Sequence, residues 1–331
     1  MSASQISHHS RQGRVLISII VPVFNEEEAV ADFVEHLVPH IPTDEINYEI
    51  VFVNDGSRDG TLGALRKILA GNAHVRIVDL TRNFGKEAAM SAGLDNARGD
   101  AVIVIDVDLQ EPPELIAPMI ARWREGFDVV YGQRVSRASD GFFKRFTAGG
   151  FYKMFNRLSH SKIPEDVGDF RLMDRRVVDA LKLMPERVRF MKGLFAWVGF
   201  KSVAIEFERR QRHAGTTKFN YWRLWNFALD GITSFSTVPL RIWTYFGLAI
   251  ASVSFLYGIF IVGRTIVSGI DMPGYASLLA AVLFLGGVQL IGLGVIGEYL
   301  GRVYMEVKRR PVYLQSEVYE AEKTDRDRSP S

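Results

Sequence analysis

The sequence predicts an α/β protein in which a mostly parallel sheet is followed by two membrane-spanning helices. Apolar runs rich in β-branched residues alternate with helical patterns through the first half of the chain. Polar residues follow each of these runs. Two later segments, 242–263 and 275–297, contain no charged residue. Each is long enough to cross a hydrocarbon core of about 30 Å as a helix.

Composition narrows the class of protein. With 331 residues, the chain is long enough to bury a full hydrophobic core. Its formal net charge of +2 gives no electrostatic support for nucleic-acid binding. The absence of cysteine excludes disulfides, thiolate metal sites and a cysteine nucleophile. Residues 1–14 lack the apolar core of a signal peptide, so we expect a disordered N-terminal tail that stays in the cytosol.

Five apolar runs are predicted to be strands: VLISIIVPVF, YEIVFVND, VRIVDLT, AVIVIDVDL and DVVYGQR. Three segments between them are predicted to be helices: NEEEAVADFVEHLVPHI, DGTLGALRKILAG and GKEAAMSAGLDNA. In the first helix, Asn25 is a candidate N-cap and Glu28 follows at the capping-box spacing. Apolar residues recur there at helical spacing, at Val30, Phe33, Val34 and Leu37. Near-continuous apolar strands separated by helices predict a mostly parallel sheet that is covered on both faces.

The residues at the strand ends are candidates for a ligand site, because ligands of such sheets bind beyond the carboxyl ends of the strands. These ends read PVFNEEE, VNDGSRDG, LTRNFGKE, DVDLQEPPE and YGQRVSR. None of them matches a GxGxxG or Walker pattern. The sequence therefore gives little support to a dinucleotide-binding protein or an ATPase.

Asp106 and Asp108 form a candidate metal site at the end of the fourth run. Alternation along a strand places residues i and i+2 on the same side, so both carboxylates and the Gln110 amide are expected to face one point. Hard cations such as Mg²⁺ or Mn²⁺ prefer oxygen ligands. The alternative is a solvated turn, since Pro112 and Pro113 end the strand.

The first two strand ends contain residues that are candidates for binding a nucleotide. Asn25 and Glu26 are also explained as helix caps, and Asp55 and Ser57 as part of a turn. They gain significance because they are expected to lie beside the aspartate pair. A carboxylate such as that of Asp55 can accept the imide N–H of uracil or the N1–H of guanine.

The two uncharged segments are interpreted as a hairpin with both ends in the cytosol. Buried core helices are the alternative, but the rest of the chain offers nothing to surround them. Basic residues precede the first segment and follow the second, whereas the connector 264–274 carries only Arg264, balanced by Asp271.

Residues 219–241 are rich in aromatic residues and are expected to form amphipathic juxtamembrane helices. The similar segment 142–157 fits either an interfacial helix or ordinary core packing. The chain after about residue 315 is expected to be disordered.

These motifs, in this order, resemble glycosyltransferase family 2, whose catalytic domain has the GT-A fold. The segments VGDFRLMDRR, RRQRHAGTTKFNYWRL and IGEYLGRVYMEVKRRPVY, joined to two spans, resemble a narrower group. That group comprises the polyprenyl-phosphate glycosyltransferases, similar to bactoprenol glucosyltransferases and dolichol-phosphate mannose synthases. The resemblance runs from about residue 15 to 314. It implies a catalytic domain at 15–218 and a cytosolic tail at 298–331.

The resemblance also implies roles for particular residues. The nucleotide sugar would be bound by Pro22, Val23, Asn25, Glu26, Asp55, Ser57, Gly85 and Lys86. The cofactor would be Mg²⁺ or Mn²⁺, and its protein ligands would be Asp106, Asp108 and Gln110. Asp169 would be the catalytic carboxylate, together with Asp106 and Asp108. The acceptor phosphate would be bound by Arg134, Arg145, Arg171, Arg212 and Lys218. Val107 is bulkier than the alanine common at its position, and its side chain is expected to point away from the metal.

The function implied is inverting, metal-dependent transfer of a hexose from a nucleotide sugar to polyprenyl phosphate, such as undecaprenyl phosphate. The donor favoured is UDP-glucose. The reaction would take place at the cytosolic face of the inner membrane, and relatives of this kind form homotetramers. A GDP-mannose-using mannosyltransferase is the first alternative. A processive polysaccharide synthase is a weaker one, because a QxxRW motif and further spans are not found. A nonenzymatic scaffold or flippase subunit would have no use for the polar strand ends.

Overall fold

The computed structural model describes residues 13–135, 167–208 apart from 185, 188 and 190, 238–268 and 274–321. Its strands are β1 Val15–Val23, β2 Ile46–Asn54, β3 Val75–Leu80, β4 Ala101–Val104, β5 Val129–Arg134, β6 Val167–Asp174, β7 Ser202–Phe207 and β8 Gln315–Glu320. Its helices are α1 Ala29–Leu37, α2 Thr61–Gly71, α3 Lys86–Asn96, α4 Ile116–Arg124, α5 Arg175–Lys182, α6 Met191–Trp197, α7 Val238–Ser268 and α8 Tyr275–Val307.

The strands form one sheet in the order β7-β5-β6-β4-β1-β2-β3-β8. Strands β4, β1, β2 and β3 are mutually parallel. Strand β6 runs antiparallel to β4 and to β5, and β8 runs antiparallel to β3. The mostly parallel sheet predicted from the sequence is therefore a mixed sheet. Strand β6 was not predicted because charged side chains, such as those of Asp169 and Arg171, interrupt its apolar pattern.

Helices cover both faces of the sheet, as the sequence predicted. Helices α1, α2 and α4 pack on one face, where Phe33, Leu65 and Trp123 are almost completely buried. Helices α3, α5 and α6 pack on the other face, which includes Met90 and Leu194. Apolar side chains removed from water on both faces are the main source of stability of such a sheet. The loops at the strand ends are thus held by a rigid support.

The strands and helices predicted for the first half of the chain are confirmed, but two boundaries differ. Helix α1 begins at Ala29, and Asn25 does not cap it. Instead, the Asn25 Oδ1 accepts a hydrogen bond from the Arg58 N–H at 2.9 Å. Strand β4 ends at Val104, whereas the predicted run continued to Leu109. Leu109 has a φ of 54°, which no strand residue adopts.

The prediction of disorder after about residue 315 is wrong for Gln315–Glu320, which form β8. This strand pairs with the edge strand β3, and ion pairs add to the pairing. The Glu320 carboxylate lies 2.9 Å from Arg76 and 2.7 Å from Arg98. Because backbone pairing and charges provide these contacts, the strand carries no apolar pattern that would reveal it in the sequence.

Helices α7 and α8 contain the predicted spans 242–263 and 275–297. Among the described residues, one helical segment, Phe284–Val307, is long and apolar enough to cross a membrane, and a shorter apolar segment covers Tyr245–Phe260. Two spans therefore stay a prediction. Residues 219–237 and 142–157, predicted to be amphipathic, lie outside the described residues.

Candidate active site

A cleft of about 940 Å³ opens beyond the carboxyl ends of the four parallel strands. Strands β1 and β4 are neighbours, although the chain leaves β1 toward β2 and returns to β4 from β3. Such a reversal of strand order is where α/β sheets bind ligands. The predicted site residues that line the cleft are Pro22, Val23, Asn25, Glu26, Asp55, Gly85, Lys86, Asp106 and Asp108.

Asp55 fixes the loop between β3 and α3. One carboxylate oxygen accepts the Phe84 N–H at 2.7 Å and the other accepts the Gly85 N–H at 2.9 Å. Gly85 adopts a φ of 97°, which glycine reaches without strain. Burial raises the pKa of the Asp55 carboxyl above its ordinary value, against the lowering effect of the two hydrogen bonds. Asp55 therefore supports the cleft wall as well as lining it.

The loops after β1 and β2 are joined by hydrogen bonds. The Asn25 N–H donates to the Ser57 Oγ at 2.9 Å, and the Glu26 N–H donates to the Thr61 Oγ1 at 2.9 Å. The carboxylate of Glu27 accepts the Gly60 N–H at 2.9 Å. Ser57 thus supports the loop from behind and is absent from the cleft lining. The two loops form one preorganised wall.

Lys86 joins two of the three predicted catalytic carboxylates, Asp106 and Asp169. Its Nζ lies 2.7 Å from the Asp106 Oδ1 and 2.8 Å from the Asp169 Oδ2. Asp169 reaches this position because β6 is antiparallel to β4, so the beginning of β6 lies beside the carboxyl end of β4. Burial alone would lower the pKa of Lys86, but Asp169 and Asp106 outweigh it and raise the pKa.

Asp169 is an ionised carboxylate in this setting. Burial alone would raise its pKa, but the positive charges of Lys86 and Lys192 outweigh that effect and hold the pKa below its ordinary value. The Asp169 Oδ1 is buried and has no hydrogen-bond partner within the part of the chain that the structure describes.

The aspartate pair lies on a turn, not on a strand, so the alternation argument for it does not apply. Asp106, Asp108 and Val107 all line the cleft, and Val107 also packs in the hydrophobic core. The Gln110 N–H donates to the Asp108 Oδ1 at 3.2 Å. Gln110 itself is buried outside the cleft lining, and its Oε1 lacks a hydrogen-bond partner among the described residues.

The donor atoms at this turn fit a hard divalent cation, because they are carboxylate and amide oxygens. No cluster of three or more His, Cys, Asp or Glu side chains suited to a metal occurs in the described residues. A cation held by Asp106 and Asp108 would therefore depend on ligand or water oxygens for the rest of its coordination. The metal ligand set stays a prediction.

Two buried glutamates beside the site were not predicted. Glu111 accepts the Asp106 N–H at 3.3 Å, and burial followed by the Asp106 charge raises its pKa to about 8. Burial followed by the Asp169 charge raises the pKa of Glu87 to about 8. In the sequence, only closeness to Lys86 and to the aspartate pair marks these two glutamates. That closeness does not reveal that their side chains are buried.

Arg171 and Arg134 lie on the β5–β6 side of the site. Arg171 is buried, donates from Nη2 to the Gly168 carbonyl at 2.7 Å and stacks 3.7 Å from the centre of the Phe195 ring. Burial lowers its pKa to about 10. It lines a pocket of about 180 Å³ together with Lys192. A Cβ atom added to Gly168 would lie 3.5 Å from the Arg134 Nη2, which places Arg134 beside the start of β6.

Arg145, Arg212 and Lys218, the other predicted acceptor ligands, lie outside the described residues.

Comparisons with known proteins agree with this geometry. Residues 18–182 match the model of glycosyl transferase family 2, and residues 238–303 match the GtrB C-terminal hairpin. An uncharacterized glycosyltransferase of Synechocystis sp. is 55% identical over 92% of this chain and 95% of that protein. A prophage bactoprenol glucosyl transferase homolog of Escherichia coli is 54% identical over 90% of this chain and 97% of that protein. The bactoprenol glucosyl transferase of Shigella phage SfII is 54% identical over 90% of this chain and 96% of that protein.

The chain belongs to glycosyltransferase family 2 and is a glycosyltransferase.

Proposed function

We propose that the chain transfers glucose from UDP-glucose to a polyprenyl phosphate, with inversion at the anomeric carbon. The observation that carries this proposal is the identity of 54%, over 90% of the chain, to proteins named bactoprenol glucosyl transferases. Identity at that level across nearly the whole chain includes both the cleft and the C-terminal helices.

The nucleotide is assigned to the preorganised wall of the cleft. Asp55, Asn25 and Glu26 lie there on loops that hydrogen bonds already hold in place. Preorganised polar groups lose little conformational freedom when a ligand binds. Pro22, Val23 and Gly85 supply backbone and apolar surface beside them, and Ser57 supports the wall from behind.

Asp106 and Asp108 would hold Mg²⁺ or Mn²⁺ where they line the cleft. Gln110 is buried outside the cleft lining, and its part as a further oxygen ligand stays a prediction. When bound, a divalent cation would neutralise negative charge on the departing diphosphate. The carboxylates face the cleft from a turn whose backbone is anchored by Glu111. That anchoring favours one fixed arrangement of the two ligands.

In the reaction, an oxygen of the lipid phosphate forms a bond to the anomeric carbon. The bond from that carbon to the diphosphate oxygen breaks, and the nucleoside diphosphate leaves with the electron pair. A phosphate is already anionic at neutral pH, so no strong base is required. The ionised Asp169 would orient the acceptor and stabilise positive charge that develops on the sugar. Arg134 and Arg171 would bind acceptor oxygens, since guanidinium groups suit phosphate. The same role for Arg145, Arg212 and Lys218 stays a prediction.

Helices α7 and α8 are proposed to form a membrane hairpin with both ends in the cytosol. Large apolar side chains on them, such as Phe255, Leu256 and Leu290, are more than half exposed. The match to the GtrB C-terminal hairpin supports the same arrangement. After α8 the chain returns to the catalytic sheet as β8, which supports the proposal that both ends of the hairpin face the side of the membrane where the catalytic domain lies. A homotetramer in the inner membrane stays a prediction from resemblance.

The test is transfer of radiolabelled sugar by the full chain, purified in detergent, to undecaprenyl phosphate. UDP-glucose and GDP-mannose are compared as donors, each with Mg²⁺, Mn²⁺ or a chelator. Label from UDP-glucose in the lipid fraction, lost with the chelator, is the expected result. Label from GDP-mannose alone would replace the donor assignment. Transfer that persists in chelator would refute the metal requirement.

A further inference from the structure

The Lys86 ammonium contacts the two carboxylate oxygens of Asp106, which are the atoms that a metal bound by Asp106 would use. Its Nζ contacts both carboxylate oxygens of Asp106, at 2.7 and 2.8 Å, and also the Asp169 Oδ2 at 2.8 Å. The side chains of Lys86 and Asp106 are 43% and 31% exposed, so the contact is open to the cleft. A ligand or ion that enters the cleft can therefore reach it.

The charges around Lys86 explain why an ammonium is needed there. Asp106 and Asp169 approach the same atom, and without a cation between them the two carboxylates would repel each other. Glu87 and Glu111 add carboxyl groups nearby, while Lys192 and Arg171 approach from the β6–α6 side. Within the described residues, Lys86 is the basic group that forms ion pairs with both Asp106 and Asp169.

Building on the proposed function, we infer that Lys86 is an internal counter-cation that competes with the divalent metal for Asp106, so that metal and nucleotide diphosphate bind in a coupled manner. Two cations that share the same carboxylate oxygens repel each other, and in a partly buried site that repulsion is large. Metal alone should therefore bind weakly.

A nucleotide diphosphate removes this obstacle in two ways. Its oxygens supply ligands that complete the coordination of the metal, as is usual for Mg²⁺ and Mn²⁺ sites. Its negative charge also offers the Lys86 ammonium a new partner, and the long flexible side chain of lysine can turn toward it. Lys86 then keeps its contact with Asp169 or exchanges it for the diphosphate, while Asp106 is released to the metal. Lys86 is a positioning residue in this account.

The experiment measures Mn²⁺ binding to the full chain in detergent by the loss of the EPR signal of free Mn²⁺, with and without UDP. Lys86→Met is compared with the wild type. We expect Mn²⁺ alone to bind roughly tenfold more tightly to the variant, because a cation beside the metal site has been removed. The factor by which UDP tightens Mn²⁺ binding should fall correspondingly, since the coupling between two ligands is reciprocal.

Two further variants make the result specific. Lys86→Arg keeps the positive charge and should keep weak binding of Mn²⁺ alone, which separates charge from a general disturbance of the fold. Lys67→Met removes an exposed lysine of α2 and should behave as the wild type.

Unchanged or weaker Mn²⁺ binding in Lys86→Met, with UDP binding retained, would overturn the role of Lys86 and leave the proposed function intact. Failure of the wild type to bind Mn²⁺ with UDP present would overturn the metal assignment and the competition together. A Lys86→Met chain that binds neither ligand, beside a Lys86→Arg chain that binds both as the wild type does, would refute competition and assign Lys86 to the integrity of the site.

Discussion

The two sides of the cleft differ in how their polar groups are satisfied. On the donor side (residues 22–29, 55–61 and 81–85), side chains are hydrogen-bonded to neighbouring backbone, as with Asp55 and Asn25. On the acceptor side (Arg134, 167–171 and 191–195), buried atoms have no hydrogen-bond partner among the described residues. These include the Asp169 Oδ1, the Arg171 Nε and the Arg134 Nε.

This difference indicates that the two sides of the cleft bind different substrates. Native proteins leave few buried polar groups unpaired, and a catalytic role or a bound ion or water is one explanation for such a group. The donor side is already complete, so it is suited to bind a nucleotide without rearrangement. The acceptor side is charged, and within the described part of the chain some of its buried polar atoms lack a partner, so it is suited to meet a charged acceptor and the reacting centre. Changes on the two sides should therefore affect different steps.

The largest effect is expected at Asp108, which belongs to neither side and lies at their junction. Asp108→Ala should lower turnover by about 10³-fold or more, because a metal ligand supplies several kcal/mol to the departing diphosphate. Transfer assays with saturating donor and Mn²⁺ measure this, and membrane insertion should be unaffected. The exposed Asp44→Ala is the matched control. Near-normal activity in Asp108→Ala would remove it from the metal site.

Asp169→Asn tests the acceptor side. Turnover should fall about 10²- to 10³-fold, because a preorganised negative charge beside the sugar is lost. Affinity for UDP, measured by calorimetry, should not fall, because the donor side is intact. The exposed Asp179→Asn on α5 serves as the control. A loss of UDP affinity as large as the loss of turnover would break the distinction between the two sides.

Asp55→Ala tests the donor side with the opposite expectation. It leaves the Phe84 and Gly85 N–H groups without their acceptor, which costs about 1–3 kcal/mol in the site. Affinity for UDP should fall about 10- to 100-fold, whereas turnover at saturating donor should change much less. Steady-state kinetics at varied donor concentration separate the two. An effect confined to turnover would contradict the assignment of Asp55 to the donor.

The smallest effect is expected on the pH dependence of folding stability, to which the Glu87 carboxyl contributes. Burial raises the pKa of Glu87 from its ordinary value of 4.5 to about 8 in the folded chain. Between these values the unfolded chain releases the proton and the folded chain keeps it, so stability falls as pH rises. Below about 4.5 and above about 8 this contribution is constant.

Glu87→Gln should remove this loss. The difference in melting temperature between the variant and the wild type should increase by several degrees from pH 5 to pH 8. Thermal unfolding followed by tryptophan fluorescence at several pH values measures the difference. A difference that is independent of pH would show that Glu87 is ionised in the folded chain.

Much of the donor side was predictable from the sequence, because local patterns determine it. The strands β1, β2 and β3 are apolar runs, and their ends carry the Asn25, Asp55 and Gly85 motifs directly. Parallel strands place those ends at one edge of the sheet, so sequence order was enough to bring them together. Exact contacts were not predictable, as the partner of Asn25 and the supporting position of Ser57 illustrate.

The class of enzyme, the loops that form the cleft and the two apolar segments near the C-terminus could all be predicted from the order of residues. The antiparallel direction of β6, the ion pairs of Lys86 with Asp106 and Asp169, and the burial of Glu87 and Glu111 became visible only in the folded chain. The same holds for the edge strand that the charged residues 315–320 form. The reason is physical: periodicity and motifs report interactions between residues close in the chain. Burial, ion pairing and edge pairing depend on residues that are distant in sequence, and only packing brings those together.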